Sequence, residues 1–335
     1  MEKYYSIHNL VTVKSNVGIP LPNYFSCPPV PEPDLTITQC NFNHDVPRSS
    51  KKKRKDYSVW KEGDALFIDY ESLDLKISLS NLEGKTTIQV SDGFVTRSKK
   101  HLNTLVGLII QLKLINKNCT FLHSGCLTHD GGAILLPAMG STGKTFTTLS
   151  LIDGKKRLFM SDDLSIISTN GEVYSYPGKI GTGPYVLEND SVPELSVKPI
   201  FSSKLAKIPL ISLIFGKFPW LYKSKNLEMP AHLTTEKSTC SYLFLIVGGS
   251  EERAFSIPTS HAITKAMNQH LDTHNLFGSF ILNYYAYFFG YDLVQKLERM
   301  REILISGLSS TQCFEIKSNE LSNYPTIVLQ TIAEN

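Results

Sequence analysis

Eight consecutive residues, Ala138-Met139-Gly140-Ser141-Thr142-Gly143-Lys144-Thr145, place two glycines, a lysine and a hydroxyl at a spacing suited to holding phosphate. The pattern is a small residue, four others, then Gly-Lys-Ser/Thr, set between a strand and a helix. Gly140 and Gly143 let the backbone curl so that successive N–H groups point inward at phosphate oxygens. The helix N-terminus behind them adds free donors and a partial positive charge. Lys144 is placed to reach the β- and γ-phosphates, and the Thr145 hydroxyl to ligate Mg²⁺. Alanine at 138 stands where glycine is usual. The span from Ala138 through Phe146 is the expected nucleotide-binding segment, and Mg-ATP the expected ligand. The alternative is a glycine-rich loop that only turns the chain.

Mg²⁺ needs hard oxygen ligands, and phosphoryl transfer to a hydroxyl gains from a carboxylate base. Asp162 and Asp163, eighteen and nineteen residues beyond Lys144, supply both at a strand end. Adjacent side chains in extended backbone point to opposite sides, so one would face the metal and the other the acceptor. The alternative is a pair of solvated turn aspartates. His123 lies in the strand before the loop strand, where a lone histidine is more often a satisfied core residue.

These residues need elements to hold them. The apolar run Ala133-Ile134-Leu135-Leu136-Pro137 predicts a strand leading into the loop, and a helix is expected from Lys144 or Thr145 to Asp153-Gly154, capped by the glycine. Strands are expected over 119–128, 157–160 and 164–168, with turns at 129–132 and 169–172. Leu102, Leu105, Leu108, Ile109 and Leu112 fall at helical spacing and predict a helix over 101–115. Residues 1–100 read as β-rich, with short strands near 10–13, 35–38, 65–68 and 86–90 separated by proline, glycine and asparagine. Downstream, 242–247 and 254–257 predict a hairpin across Gly248-Gly249-Ser250, and helices are expected over 259–271 and 275–305. A short β segment, 313–317, closes the chain's pattern. The fold class is mixed α/β, divided as a β-rich region 1–100, a nucleotide-binding core 101–310 and a C-terminal segment 311–335 packed on the core.

Composition narrows the field. With 335 residues, 41% apolar and 19% charged, the chain reads as an ordinary globule. No stretch reaches the roughly 18 apolar residues of a membrane span; residues 276–291 read as a buried helix, and no signal peptide is visible, so a cytoplasmic location is expected. The net charge of +3 depends on the run Lys51-Lys52-Lys53-Arg54-Lys55, without which 29 basic residues would face 31 acidic ones. Nucleic acid is therefore not an expected partner, and the run reads as a solvated loop between two strands, with a nuclear-localisation or polyanion patch as the alternative. Six scattered cysteines lack zinc spacing and predict reduced thiols without a structural metal.

Taken together, Leu122-His123-Ser124-Gly125, the loop at 140–145 and Ser161-Asp162-Asp163 resemble the core of HPr kinase/phosphorylase, an enzyme of the phosphoenolpyruvate carboxykinase-like P-loop fold. The resemblance is closer to HPr-kinase-related proteins, which include small-molecule and peptide serine kinases. Residues 118–180 carry it; 1–100 and 240–305 match only in their pattern of strands and helices. It implies that Lys144 holds the phosphates, Thr145 and Asp163 the metal, and that Asp162 is the base toward the acceptor. It also implies that His123 lies near the γ-phosphate, and that Lys179 steadies the transferred group unless it is simply an exposed turn lysine. The namesake enzyme's glutamate- and arginine-bearing second signature is not matched at Gly178-Lys179-Ile180-Gly181-Thr182-Gly183-Pro184, so HPr is not the expected substrate.

The expected function is a Mg-ATP-dependent kinase acting on a hydroxyl of a small molecule or of a peptide or protein serine. A nucleotide hydrolase and a nucleotide-sensing or assembly module stay open beside it. The acceptor is unidentified, the apolar stretch 207–222 is one candidate for shaping its pocket, and a homo-oligomer is left open.

Overall fold

The computed structural model describes residues 1–42, 52–53, 56–140, 142–181, 191–192, 195 and 226–335. Ser141, the stretch 207–222, residues 182–184 and Lys51, Arg54 and Lys55 of the basic run lie outside them. Two compact units are present, Met1–Thr120 with Leu271–Ile303, and Phe121–His270 with Leu304–Asn335. Each unit is discontinuous in sequence, the first returning at Leu271 and the second at Leu304.

The first unit is built on an eight-stranded sheet. Its strands are β1 (Lys3–Ile7), β2 (Val11–Ser15), β3 (Leu35–Gln39), β4 (Lys52–Lys53), β5 (Ser58–Glu62), β6 (Ala65–Tyr70), β7 (Leu75–Ser80) and β8 (Thr86–Val90), in the order β1-β2-β3-β8-β7-β6-β5-β4. Apolar residues alternate inward along β2 and β8, as the period-two pattern of half-buried strands requires. Ser91 caps α1 (Asp92–Arg97) by accepting from the Phe94 N–H, and α2 (Lys99–Asn116) follows at once. The five apolar residues that predicted α2 are all buried.

The expected single helix over 275–305 is a correction. A 3₁₀ turn at Leu276–Gly278 is followed by a helix at Phe280–Phe289, and a second begins at Leu293. Ser279 starts the first by capping Leu282 N, and Gly290, at φ +67°, ends it in the left-handed region. Nor is 276–291 buried throughout, since Tyr287 is 72% exposed.

The second unit holds β9 (Cys119–His129), β10 (Gly132–Pro137), α3 (Lys144–Leu151), β11 (Phe159–Ser161), β12 (Leu164–Ser168), β13 (Glu172–Tyr174), β14 (Ile180–Gly181), β15 (Asn226–Leu227), β16 (Lys237–Gly248), β17 (Arg253–Ser256) and β18 (Gln312–Ser318). The main sheet runs β10-β9-β12-β13-β16-β18-β17, and β10 also pairs with β16, so its first five strands close on themselves. The expected hairpin of 242–247 with 254–257 does not form. Instead β18 lies between β16 and β17, parallel to the first and antiparallel to the second. The C-terminal segment is thus an inner strand followed by a helix, Tyr324–Glu334. Beneath the loop that follows β10, Leu136, Ala138, Leu151, Phe244, Ile246, Phe314 and Tyr324 form one apolar cluster.

Candidate functional site

β10 delivers the chain to the loop at a fixed height, for Ala138 still bridges to Ile246. Within the loop the Thr142 hydroxyl donates to the Met139 carbonyl at 2.7 Å, which draws the turn closed. Gly143 has φ +103°, and a Cβ there would come 2.7 Å from Leu321 Cδ2. The conformation therefore favours glycine at the entry to α3, and a larger residue would also have to displace the Leu321 side chain. The buried hydroxyls of Thr147 and Thr148 fold back onto the Gly143 and Lys144 carbonyls, which satisfies them inside a helix only eight residues long.

α3 lies close upon β9. A Cβ at Gly125 would meet Thr148 Oγ1 at 2.3 Å and Lys144 Cγ at 3.3 Å, so the bare backbone of Gly125 is the floor on which the Lys144 stem rests. The helix does not end on the expected glycine cap. Its C-cap is Ile152 in extended conformation, and Gly154, at φ +71°, belongs to the next turn. That turn is organised by Asp153, whose carboxylate accepts from the backbone N–H groups of Lys155, Lys156 and Arg157. Burial pushes the Asp153 carboxyl up, but these donors and the Arg157 charge outweigh it and hold it below its ordinary range.

β9 and the end of β11 bring the expected acidic and basic groups together. His123 Nε2 lies 3.0 Å from Asp163 Oδ1, and Lys144 Nζ lies 3.3 Å from that same oxygen. The Thr145 hydroxyl donates to Asp162 Oδ2 at 3.0 Å. The two carboxylates stand in different surroundings: the Asp163 side chain is 68% exposed, while Asp162 Oδ1 is buried with no hydrogen-bond partner among the described residues. Burial raises the Asp162 carboxyl above its ordinary range, opposed by the Lys144 charge and the Thr145 hydrogen bond. Tyr176 closes the floor nearby, edge-on to Phe121 with ring centroids 5.1 Å apart. Its phenol is pushed well up by burial and then by the Asp163 charge, so it is a neutral neighbour.

Lys144, Thr145, Asp162, Asp163 and His123 thus share one side-chain cluster. Lys179 takes no part in those contacts; it pairs with Glu228 at 3.3 Å, both side chains well exposed. Met139 is exposed, and Phe146 packs on an apolar cluster that includes Leu149, Ile152, Phe159 and Ile180. Ser124 and Ser161, which the motifs include without a role, and Ser165, which they leave out, form a buried hydroxyl group under the cluster. Two of the three carried a signal, since Ser124 directly follows His123 and Ser161 directly precedes Asp162.

Among the described residues no three or more His, Cys, Asp or Glu side chains gather to hold a metal by themselves. The orphaned Oδ1 of Asp162 and the Thr145 hydroxyl are nonetheless hard oxygen donors of the kind Mg²⁺ takes, and Mg²⁺ keeps few protein ligands in phosphate sites. The residues fit that ion.

No protein-family model matches the sequence, and no curated protein matches it. Among solved structures the chain is similar to the HPr(Ser) kinase/phosphatase from Coxiella burnetii, at 13% identity over 64% of this chain and 97% of that one, with a TM-score of 0.25. A likeness at that level is distant and carries no argument about activity. Among the described residues no helix is long and apolar enough to cross a membrane.

Proposed function

We propose that this chain is a Mg-ATP-dependent phosphotransferase that passes the γ-phosphate to a hydroxyl of a small molecule or of a peptide or protein serine. One observation carries the reading. The two residues at the head of α3 each meet one of the paired aspartates, Lys144 with Asp163 and Thr145 with Asp162. A loop that merely turned the chain would have no need of that registry.

The partners of the two carboxylates support an exchange of the roles that the resemblance implied. Asp162, half-buried with its Oδ1 enclosed and its Oδ2 on Thr145, suits the metal side. Asp163, exposed and shared by His123 and Lys144, suits the acceptor side. Bound Mg²⁺ would neutralise charge on the phosphate oxygens. Lys144 would hold the β- and γ-phosphates, with its ammonium released from Asp163 onto them. Asp163 would take the acceptor's hydroxyl proton as that oxygen bonds the γ-phosphorus, and the bond to the β–γ bridging oxygen would break to leave ADP. His123 would hold the Asp163 carboxylate in place. Catalysis would come from positioning and charge neutralisation.

The test is γ-labelled ATP offered to a panel of metabolites, peptides and cell extract, with the labelled product read by mass spectrometry. Asp163→Asn should slow transfer by about 10²–10⁴-fold, the usual worth of a general base, while Mg-ATP binding stays near wild type. If Asp162→Asn alone abolishes transfer with binding intact, the base is Asp162 after all. Label released only as inorganic phosphate, whatever acceptor is present, would identify a hydrolase instead.

A further inference from the structure

Three serines that the reaction does not use lie directly beneath the site. Ser124 follows His123 on β9, Ser161 precedes Asp162 at the end of β11, and Ser165 sits on β12, each with 0% of its surface exposed. Ser165 Oγ accepts from Ser124 Oγ at 2.9 Å and shares a 2.6 Å hydrogen bond with Ser161 Oγ. It also donates to the Ser124 carbonyl at 3.3 Å. A hydroxyl has one donor and two acceptor positions, so with Ser161 as donor both acceptor positions of Ser165 are filled, and its donor is shared between the Ser124 carbonyl and the Cys126 thiol.

The surroundings are apolar, with Leu122, Cys126, Met160 and Ile166 all buried. Hydroxyls in such a place weaken a core unless every one is satisfied, and when satisfied they select a single geometry. Backbone pairing carries β11 through a bulge as far as Ser161, which stands opposite Cys126, and both aspartates lie just beyond that last β9–β11 pair. Past that pair, the Ser124–Ser165–Ser161 hydroxyls are the side-chain tie that runs under the aspartates from β9.

We propose that Ser165 is a positioning residue for the phosphate site. Its hydroxyl ties the strand that carries His123 to the strand end that carries Asp162 and Asp163, and so sets the distance between the metal-side and acceptor-side groups. The proposal rests on the reading of the site as one for Mg-ATP. It goes beyond that reading by assigning the spacing of the two aspartates from β9 to a side chain that touches neither substrate nor metal.

The experiment measures ATP affinity of the full chain by calorimetry, once with Mg²⁺ and once with EDTA. Ser165→Ala should raise the Kd for Mg-ATP about tenfold, the low end of outer-shell losses, and change that for metal-free ATP by less than about twofold. Ser165→Cys, which keeps a donor of similar size, should recover part of the loss. Ser168→Ala is the structural control, for it removes a hydroxyl on the same strand that bonds instead to Asn170 and the Glu172 backbone. It should lower the melting temperature and leave the metal dependence alone. An unchanged ratio of metal-bound to metal-free affinity in Ser165→Ala overturns the proposal, and so does an equal loss in Ser168→Ala. If Ser165→Ala does not fold, Ser161→Ala is read by the same criteria. Lys144→Ala reports on the underlying reading separately: if it binds Mg-ATP as wild type does, the phosphate site itself has failed and the proposal falls with it.

Discussion

Asp162 is held at a cost. One of its oxygens takes the Thr145 hydroxyl, the other is buried without a partner among the described residues, and burial raises its carboxyl above the ordinary range. An acid shifted upward by folding binds more protons folded than unfolded, so the group costs stability as pH rises from the unfolded pKa through the folded one. Asp162→Asn, without metal or nucleotide, should therefore melt above wild type at pH 7. Each kcal/mol regained is worth about 2–4 °C in a unit of this size. The gap should close as pH falls into the ordinary carboxylate range. A melting temperature at pH 7 equal to or below wild type would mean that the carboxylate is not a strained, unpaired charge. Mg-ATP should reverse the order, because a ligand that binds only the folded state stabilises it, and the variant lacks the charge that helps to hold the metal. The residue types of this site were legible in the sequence. Which carboxylate the Thr145 hydroxyl reaches was not, since Asp162 and Asp163 are adjacent and of one residue type.

Elements made from local patterns were the legible ones. Apolar spacing gave α2, and the run before Ala138 gave the strand that feeds the loop. The end of α3 was misread because Asp153 gathers three backbone N–H groups, a local hydrogen-bond option that competes with continuing the helix. Gly125 shows a different limit. Its need for glycine comes from a helix that crosses the strand, which no window around residue 125 reveals. Gly125→Ala should push Thr148 and the Lys144 stem outward, at an overpacking cost of about 1–3 kcal/mol, and should weaken Mg-ATP binding. Adding Thr148→Ala removes the atom at 2.3 Å and should restore much of both. If Gly125→Ala binds and melts as wild type does, the close seat of α3 on β9 is not what orients Lys144.

At the scale of the whole chain, strand order was the part least readable from sequence. The segments 242–247 and 254–257 are separated by a glycine turn and have strand character, which is all that a hairpin asks of local sequence. What separates them is β18, whose pairing with both is decided by contacts far along the chain. A chain ending at Ser310 would lose that inner strand and the helix Tyr324–Glu334, whose Tyr324 ring packs near Gly143. Such a chain should lose the cooperative melting of the second unit and all nucleotide binding; retention of either would contradict this strand order. The proposed activity requires that Lys144 hold the phosphates of a nucleotide whose metal sits beside Thr145 and Asp162. It is tested most directly by calorimetric titration of ATP into the full chain with and without Mg²⁺, for wild type and Lys144→Ala. Wild type should show one Mg²⁺-dependent site and Lys144→Ala should lose it; equal, metal-independent affinity in the two proteins would rule the nucleotide site out.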